Sequence, residues 1–164
     1  MVDPRLIVAL TISGGALVKT ENFSCRRYLG DPLNTLRIFS EKAVDEVVIL
    51  DIDASKNSQL PQFDYLEKLA RIADVPLCYG GGVKTVEQAK KIINLGFEKV
   101  AISSAAVEDP TLLKHLSEEL GAQSVVVVFD VRRRNNGGSS HFDVFTHGGT
   151  KREEGSLRFH LDLL

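Results

Sequence analysis

Five short apolar runs, four of them followed by an amphipathic stretch, constrain this chain more than any other feature. The runs are Leu6–Ile12, Val47–Ile52, Val75–Cys78, Lys99–Ile102 and Val125–Phe129. Each is near-continuous rather than alternating, the pattern of strands covered on both faces in a parallel sheet. Leu36, Phe39 and Val44 mark a first helix, and Phe63, Leu66, Leu69, Ala70 and Ala73 a second. Val86, Ala89, Ile92 and Ile93 mark a third, and Leu112, Leu113, Leu116 and Leu120 a fourth, all at helical spacing. Asp31-Pro32, Thr85 with Gln88, and Asp109-Pro110 supply start signals, while Gly96 and Gly121 supply stops. Strands alternating with helices predict an α/β fold with a parallel sheet and right-handed crossovers. Two closures stay open. A doubly wound sheet places helices on both faces, whereas a (β/α) barrel places all of them outside and needs eight units in about 250 residues. At 164 residues, this chain has a little over half of that.

The connecting segments are polar. Ala16–Gly30 reads as a long, partly basic loop and Arg132–Ser140 as another, and His141–Thr146 with Gly148-Gly149 reads as a small hairpin. In the tail, Glu153 to Leu164, Leu157, Phe159, Leu161, Leu163 and Leu164 form no single helical stripe, although a fifth helix could begin there. Residues 1–150 thus read as one unit and residues 151–164 as the start of a helix or a truncation.

Composition narrows the partners. A formal charge of −2 gives no long-range attraction to nucleic acid or an anionic membrane. No apolar run approaches a membrane span and no signal-peptide layout opens the chain, so the expected location is cytoplasmic. Cys25 and Cys78 have no metal-ligand spacing and read as reduced thiols; neither a cofactor nor a metal is expected.

Cys78-Tyr79-Gly80-Gly81-Gly82-Val83-Lys84-Thr85 is a glycine run between the third strand and the third helix. Such a turn lets the main chain approach a ligand and can hold phosphate oxygens on free N–H groups; it can equally be chosen for its backbone angles alone. Ile102-Ser103-Ser104-Ala105 repeats the design one unit later. Asp51 and Asp53, at the end of the second strand, could hold a metal or a ribose hydroxyl, or one could cap the next turn. His115, His141, His147 and His160 share no metal spacing and read as surface residues, and Arg132 to Arg134 read as a solvated loop or a second phosphate contact.

Gly30-Asp31-Pro32, Asp45-Glu46, Leu50-Asp51-Ile52, Gly80-Gly81-Gly82, Lys99-Val100, Ala105-Ala106-Val107 and Gln123 to Asp130 carry a family resemblance. From Arg5 to about Thr150 the sequence resembles the first half of the cyclase subunit of imidazole glycerol phosphate synthase, an eight-unit barrel of two similar halves. Lys19-Thr20, Tyr28 to Pro32, Ile38-Phe39, Glu41-Lys42, Asp51 to Ser55 and Cys78 to Gly82 make it more similar to a variant branch. That branch consists of cyclase-like proteins serving acetamidino modification of surface-polysaccharide sugars.

The resemblance implies the following roles. Asp130 matches the family's fifth-strand catalytic aspartate, while the first-strand aspartate is replaced by Thr11, whose hydroxyl is no base at neutral pH without an activating neighbour. Gly81, Gly82 and Ser104 match a phosphate site, with Ser103 where histidine-pathway members carry asparagine. Lys19 and Asn22 match a mobile first loop, from which Thr20 and Glu21 depart, and Asp51 is a substrate-side candidate. Arg5, Glu46 and Lys99 match an ammonia gate where a glutaminase subunit docks. The implied partners are that glutaminase, a phosphorylated small-molecule substrate and a sugar-modifying amidotransferase; a half-barrel with open strand edges could also self-associate. Three functions follow as expectations: an ammonia-handling subunit for amidino modification, a histidine-pathway cyclase (a lyase), or a non-catalytic phosphate-binding half-barrel.

Overall fold

The computed structural model describes residues 4–21, 25–57, 59–136 and 139–163. Strands β1 (Ile7–Ser13), β4 (Glu46–Asp51), β5 (Leu77–Gly80), β6 (Lys99–Ile102) and β7 (Val125–Val127) form the five-stranded parallel part of one sheet. They lie side by side in chain order, with no reversal. Right-handed crossovers that never reverse place every helix on the same face. The core shows this: Leu10, Val47, Ile49, Leu77, Tyr79 and Val100 pack under Leu36, Leu66, Leu69, Ile92 and Leu116 of helices α1 (Pro32–Glu41), α3 (Phe63–Ile72), α4 (Val86–Asn94) and α6 (Thr111–Leu120). On the other face Ile7 and Ala9 are exposed and Val48 and Leu50 only partly covered, whereas Cys78, Gly80 and Ala101 of β5 and β6 are buried. Four long helices on one face, in a sheet whose parallel strands keep chain order, are the arrangement of a partial (β/α) barrel and exclude the doubly wound alternative.

Local signals set the helix ends. Asp31 accepts the Asn34 N–H at 2.7 Å ahead of Pro32, and Thr85 Oγ1 accepts the Gln88 N–H at 3.3 Å. The Gln88 side chain reaches back to Lys84 N rather than to its cap residue.

The connecting segments differ from the expected loops. Ala16–Gly30 contains strands β2 (Ala16–Glu21) and β3 (Cys25–Gly30), which extend the sheet antiparallel beyond β1. Gly14 and Gly15 join β1 to β2 with φ of +56° and +77°, the positive pair that a two-residue hairpin turn requires. The expected small hairpin is a three-stranded meander of β8 (Asp130–Asn136), β9 (Ser139–Thr146) and β10 (Lys151–Ser156), so the arginine-rich stretch is strand. Two short helices, α2 (Ile52–Lys56) and α5 (Ser104–Glu108), follow β4 and β6 directly, and the tail forms α7 (Leu157–Leu161) behind a Ser156 cap. His160 is not a surface residue: it is buried between Phe129 and Phe159 and pairs with the Glu154 carbonyl at 3.0 Å. No described helix is long and apolar enough to cross a membrane.

Candidate functional site at the carboxyl ends of the strands

Thr11, Leu50, Gly80 and Ala101 are neighbours across four parallel strands and form the floor of a cleft of about 220 Å³. Glycine keeps that floor open, because a Cβ at Gly80 would stand 3.0 Å from both Ala101 Cβ and Leu50 Cδ2. The next residues rise as the wall. Gly81 has φ of +146° and a Cβ there would meet Asp51 at 2.7 Å; Gly82 has φ of +67° and would meet the Gln59 carbonyl oxygen at 2.4 Å. Backbone angle and close approach therefore both demand glycine in this turn.

The cleft collects Thr11, Asp51, Gly81, Gly82, Ser103, Ser104 and Asp130. Lys19 is not among its lining residues. Strand alternation turns Thr20 and its cross-strand partner Arg26 to the cleft, which leaves Lys19 and its partner Arg27 on the opposite face. Asn22 lies outside the described residues.

Each carboxylate has a distinct environment. Asp51 is the cap of α2, its Oδ1 accepting the N–H groups of Asp53 at 3.0 Å and Ala54 at 3.2 Å. Burial raises its pKa against the lowering effect of those two bonds. Burial also raises Asp130, with the nearby Arg132 charge only partly offsetting it. For Asp53, burial would act upward but is outweighed by Ser13, Arg26 and the Gly14 N–H, so its pKa falls below the ordinary 3.8. Asp53 thus serves Ser13 and Arg26. Among the described residues no cluster of three or more His, Cys, Asp or Glu side chains is arranged to hold a metal.

Two more residues at the cleft escaped the sequence reading. His147 has φ of +51° in the turn between β9 and β10, donates its N–H to Ser104 Oγ at 2.9 Å and pairs through Nε2 with Glu108 at 2.8 Å. The meander is thereby tied to α5 across the cleft mouth, with Glu108 and His147 both part of the lining. The bond from His147 occupies one of the two lone pairs of Ser104 Oγ and leaves its proton able to donate.

At the opposite ends of the same strands, Glu46 is buried and its Oε2 accepts Lys99 Nζ at 2.5 Å and Arg5 at 3.4 Å. Arg5 precedes β1 by two residues rather than beginning it. Between this cluster and the cleft floor lie Ala9, Val48 and Cys78, in register with Lys99 and on the same face as the floor. The Cys78 thiol is pushed up to about 12 by burial and by Glu46, with Lys99 pulling the other way.

Residues 5–160 match the histidine biosynthesis protein family. Over 93% of this chain and 58% of the relative, it is 47% identical to a Vibrio vulnificus protein provisionally designated imidazole glycerol phosphate synthase subunit hisF3. Identity to a Leptospira interrogans protein with the same provisional designation, subunit HisF, is 45% over 93% of this chain and 59% of that one. Identity to imidazole glycerol phosphate synthase subunit HisF of Petrotoga mobilis is 40% over 94% and 60%. The chain therefore spans about three fifths of the length of these curated relatives. A match that runs from just ahead of the first strand into the last helix makes this chain a member of the histidine biosynthesis protein family.

Proposed function

We propose that the chain acts as a cyclase-like subunit of an imidazole glycerol phosphate synthase-type glutamine amidotransferase complex, receiving ammonia from a glutaminase at the amino-terminal strand rim. The observation that supports this most is that one strand face carries both halves of the task. A charge cluster of buried Glu46 with Lys99 and the more exposed Arg5 stands at one end, and a cleft with Asp130, Gly82 and Ser104 stands at the other. The small residues Ala9, Cys78, Gly80 and Ala101 share the face between them, which suits passage of a molecule as small as ammonia. In the cleft, Gly81, Gly82 and Ser104 hold a substrate phosphate, Ser103 and Asp51 border it, and Asp130 is the acid–base group, its pKa raised by burial.

The reaction served is amidino modification of a polysaccharide sugar, with a sugar-modifying amidotransferase downstream. Thr11 supports this over the histidine-pathway reaction, because the cleft's aspartates are then Asp51, at the end of β4, and Asp130, just beyond β7, and neither stands at the end of β1, where the two-carboxylate mechanism needs one. Lys19 would reach a substrate only if the hairpin were rearranged. The open face beside β7, at the sheet edge, also supports pairing with further barrel strands, including those of a second copy.

Genetic complementation tests the choice. In a strain lacking its own cyclase-like amidino protein, the gene should restore amidino groups on surface polysaccharide, and in a histidine auxotroph lacking its cyclase it should not support growth. Growth without histidine would overturn the polysaccharide reading.

A further inference from the structure

On the hairpin wall of the cleft, three residues from distant parts of the chain close a ring of hydrogen bonds. Arg26 donates from one terminal nitrogen to Ser13 Oγ at 2.6 Å and from the other to Asp53 Oδ1 at 2.6 Å. The Ser13 hydroxyl donates to Asp53 Oδ2 at 2.7 Å, and the Gly14 N–H gives that oxygen a second hydrogen bond at 3.1 Å. The ring joins β3 to the end of β1 and to α2, so it fixes the hairpin against the sheet as well as the arginine against the hairpin.

The chemistry exceeds what a structural clasp needs. A guanidinium has five N–H donors in a planar fork, and the ring uses two of them. Arg26 is nevertheless part of the cleft lining, together with Gly81, Gly82 and Ser104. Its neighbour Arg27 carries the same charge but faces away, opposite Lys19. A cation whose plane is fixed by a carboxylate and a hydroxyl, and which borders a cleft walled by glycine amides, is suited to an oxyanion, because little side-chain freedom is lost when the ligand arrives.

We propose that Arg26 is the oxyanion-recognising group on the hairpin wall of the cleft, and that Asp53 and Ser13 act through it as positioning residues. The inference rests on reading the cleft as an anion site and adds the specificity-determining side chain. The ligand class is a small molecule whose phosphate lies between the glycine turn and Arg26.

The test is a titration of the 164-residue chain with inorganic phosphate, followed by NMR at the Gly82 and Ser104 amides. Arg26→Gln should weaken binding about tenfold, the effect of losing one charge-assisted contact. Arg26→Lys, which keeps the charge without the fork, should fall between, and Arg27→Gln should change the affinity less than about twofold, since its side chain is screened by the strand and by salt. Asp53→Asn should weaken binding several-fold in the native background and have no effect in the Arg26→Gln background, which an effect on folding alone would not reproduce. Unchanged β4–β6 amide shifts in the free variants confirm that each is folded; if Arg26→Gln is not, Arg26→Lys against Arg27→Gln carries the comparison. Equal losses for Arg26→Gln and Arg27→Gln, or tighter binding by Asp53→Asn, would overturn the assignment while leaving the cleft an anion site. No phosphate-dependent shift in the native chain would overturn both.

Discussion

Replacing Lys99 by alanine should cost far more stability than replacing Arg5, although both reach the same oxygen of Glu46. Lys99 does so at 2.5 Å and Arg5 at 3.4 Å, with side-chain exposures of 21% and 56% against 4% for Glu46. Removing one partner of a buried ion pair costs about 3–5 kcal/mol because the other charge is stranded out of water. Lys99 retains some solvent contact and Arg5 remains to compensate, which places Lys99→Ala near the lower end, about 3 kcal/mol. Solvent screening limits the exposed Arg5 to about 0–1 kcal/mol. With a urea m-value of about 2 kcal/mol/M, the midpoint falls by about 1.5 M for Lys99→Ala and by less than about 0.5 M for Arg5→Ala. Lys99→Ala combined with Glu46→Gln should recover much of the loss, because no charge is then left buried. Urea unfolding followed by circular dichroism on the native chain, these three variants and Glu46→Gln alone measures all of it. Equal shifts for Lys99→Ala and Arg5→Ala, or a double variant no better than the sum of its parts, would refute the reasoning.

Three further outcomes follow from the cleft and the strand face. Gly82→Ala should lose about 2–5 kcal/mol of stability, combining left-handed backbone strain with a Cβ forced to within 2.4 Å of the Gln59 oxygen; a loss under about 1 kcal/mol in urea unfolding would contradict that geometry. Asp130→Asn should raise the melting temperature at pH 7 and leave it unchanged below pH 3.8, since burial raises the folded pKa and the charged carboxylate is the costly form; a lower melting temperature at pH 7 would point to a stabilising partner instead. A thiol reagent at pH 8 should label exposed Cys25 and leave Cys78 until the chain is unfolded. Because the Cys78 thiol rises from 9.0 to about 12, its contribution to stability is full below pH 9 and fades as the pH approaches 12; labelling of both cysteines at the same rate would show Cys78 to be accessible.

What could be read from the sequence was whatever burial writes into local pattern. The parallel strands and four long helices are visible because Val47–Leu50 is an unbroken apolar run and Leu66 and Leu69 fall on one helical face. The hairpin β2–β3 was missed because Lys19, Glu21, Arg26 and Arg27 give it the composition of a loop, and its register depends on Gly14-Gly15, which reads equally well as a break. The arginines of β8 hid a solvated strand in the same way, and α2 and α5 are too short to show periodicity. At the cleft, Gly82 was visible as a turn glycine, but the Gln59 oxygen that bars a side chain there belongs to another loop. Arg26, Ser13 and Asp53 lie 13, 27 and 40 residues apart, and His147 stands 43 residues from Ser104, so only the folded chain shows that they meet. Glu46 and Lys99 were singled out by resemblance; their shared hydrogen bond over 53 residues of chain is a product of strand register.

We propose the carboxyl-end cleft as a phosphate site at Gly82 and Ser104, set apart from the charge cluster at the other rim. Millimolar inorganic phosphate added to the isotopically labelled chain, with every backbone amide followed by NMR, tests this. Saturable shifts are expected at Gly82 and Ser104 with none at Glu46 or Lys99; shifts confined to Arg132–Arg134, or to the Arg5–Glu46–Lys99 rim, would contradict a phosphate site in the cleft.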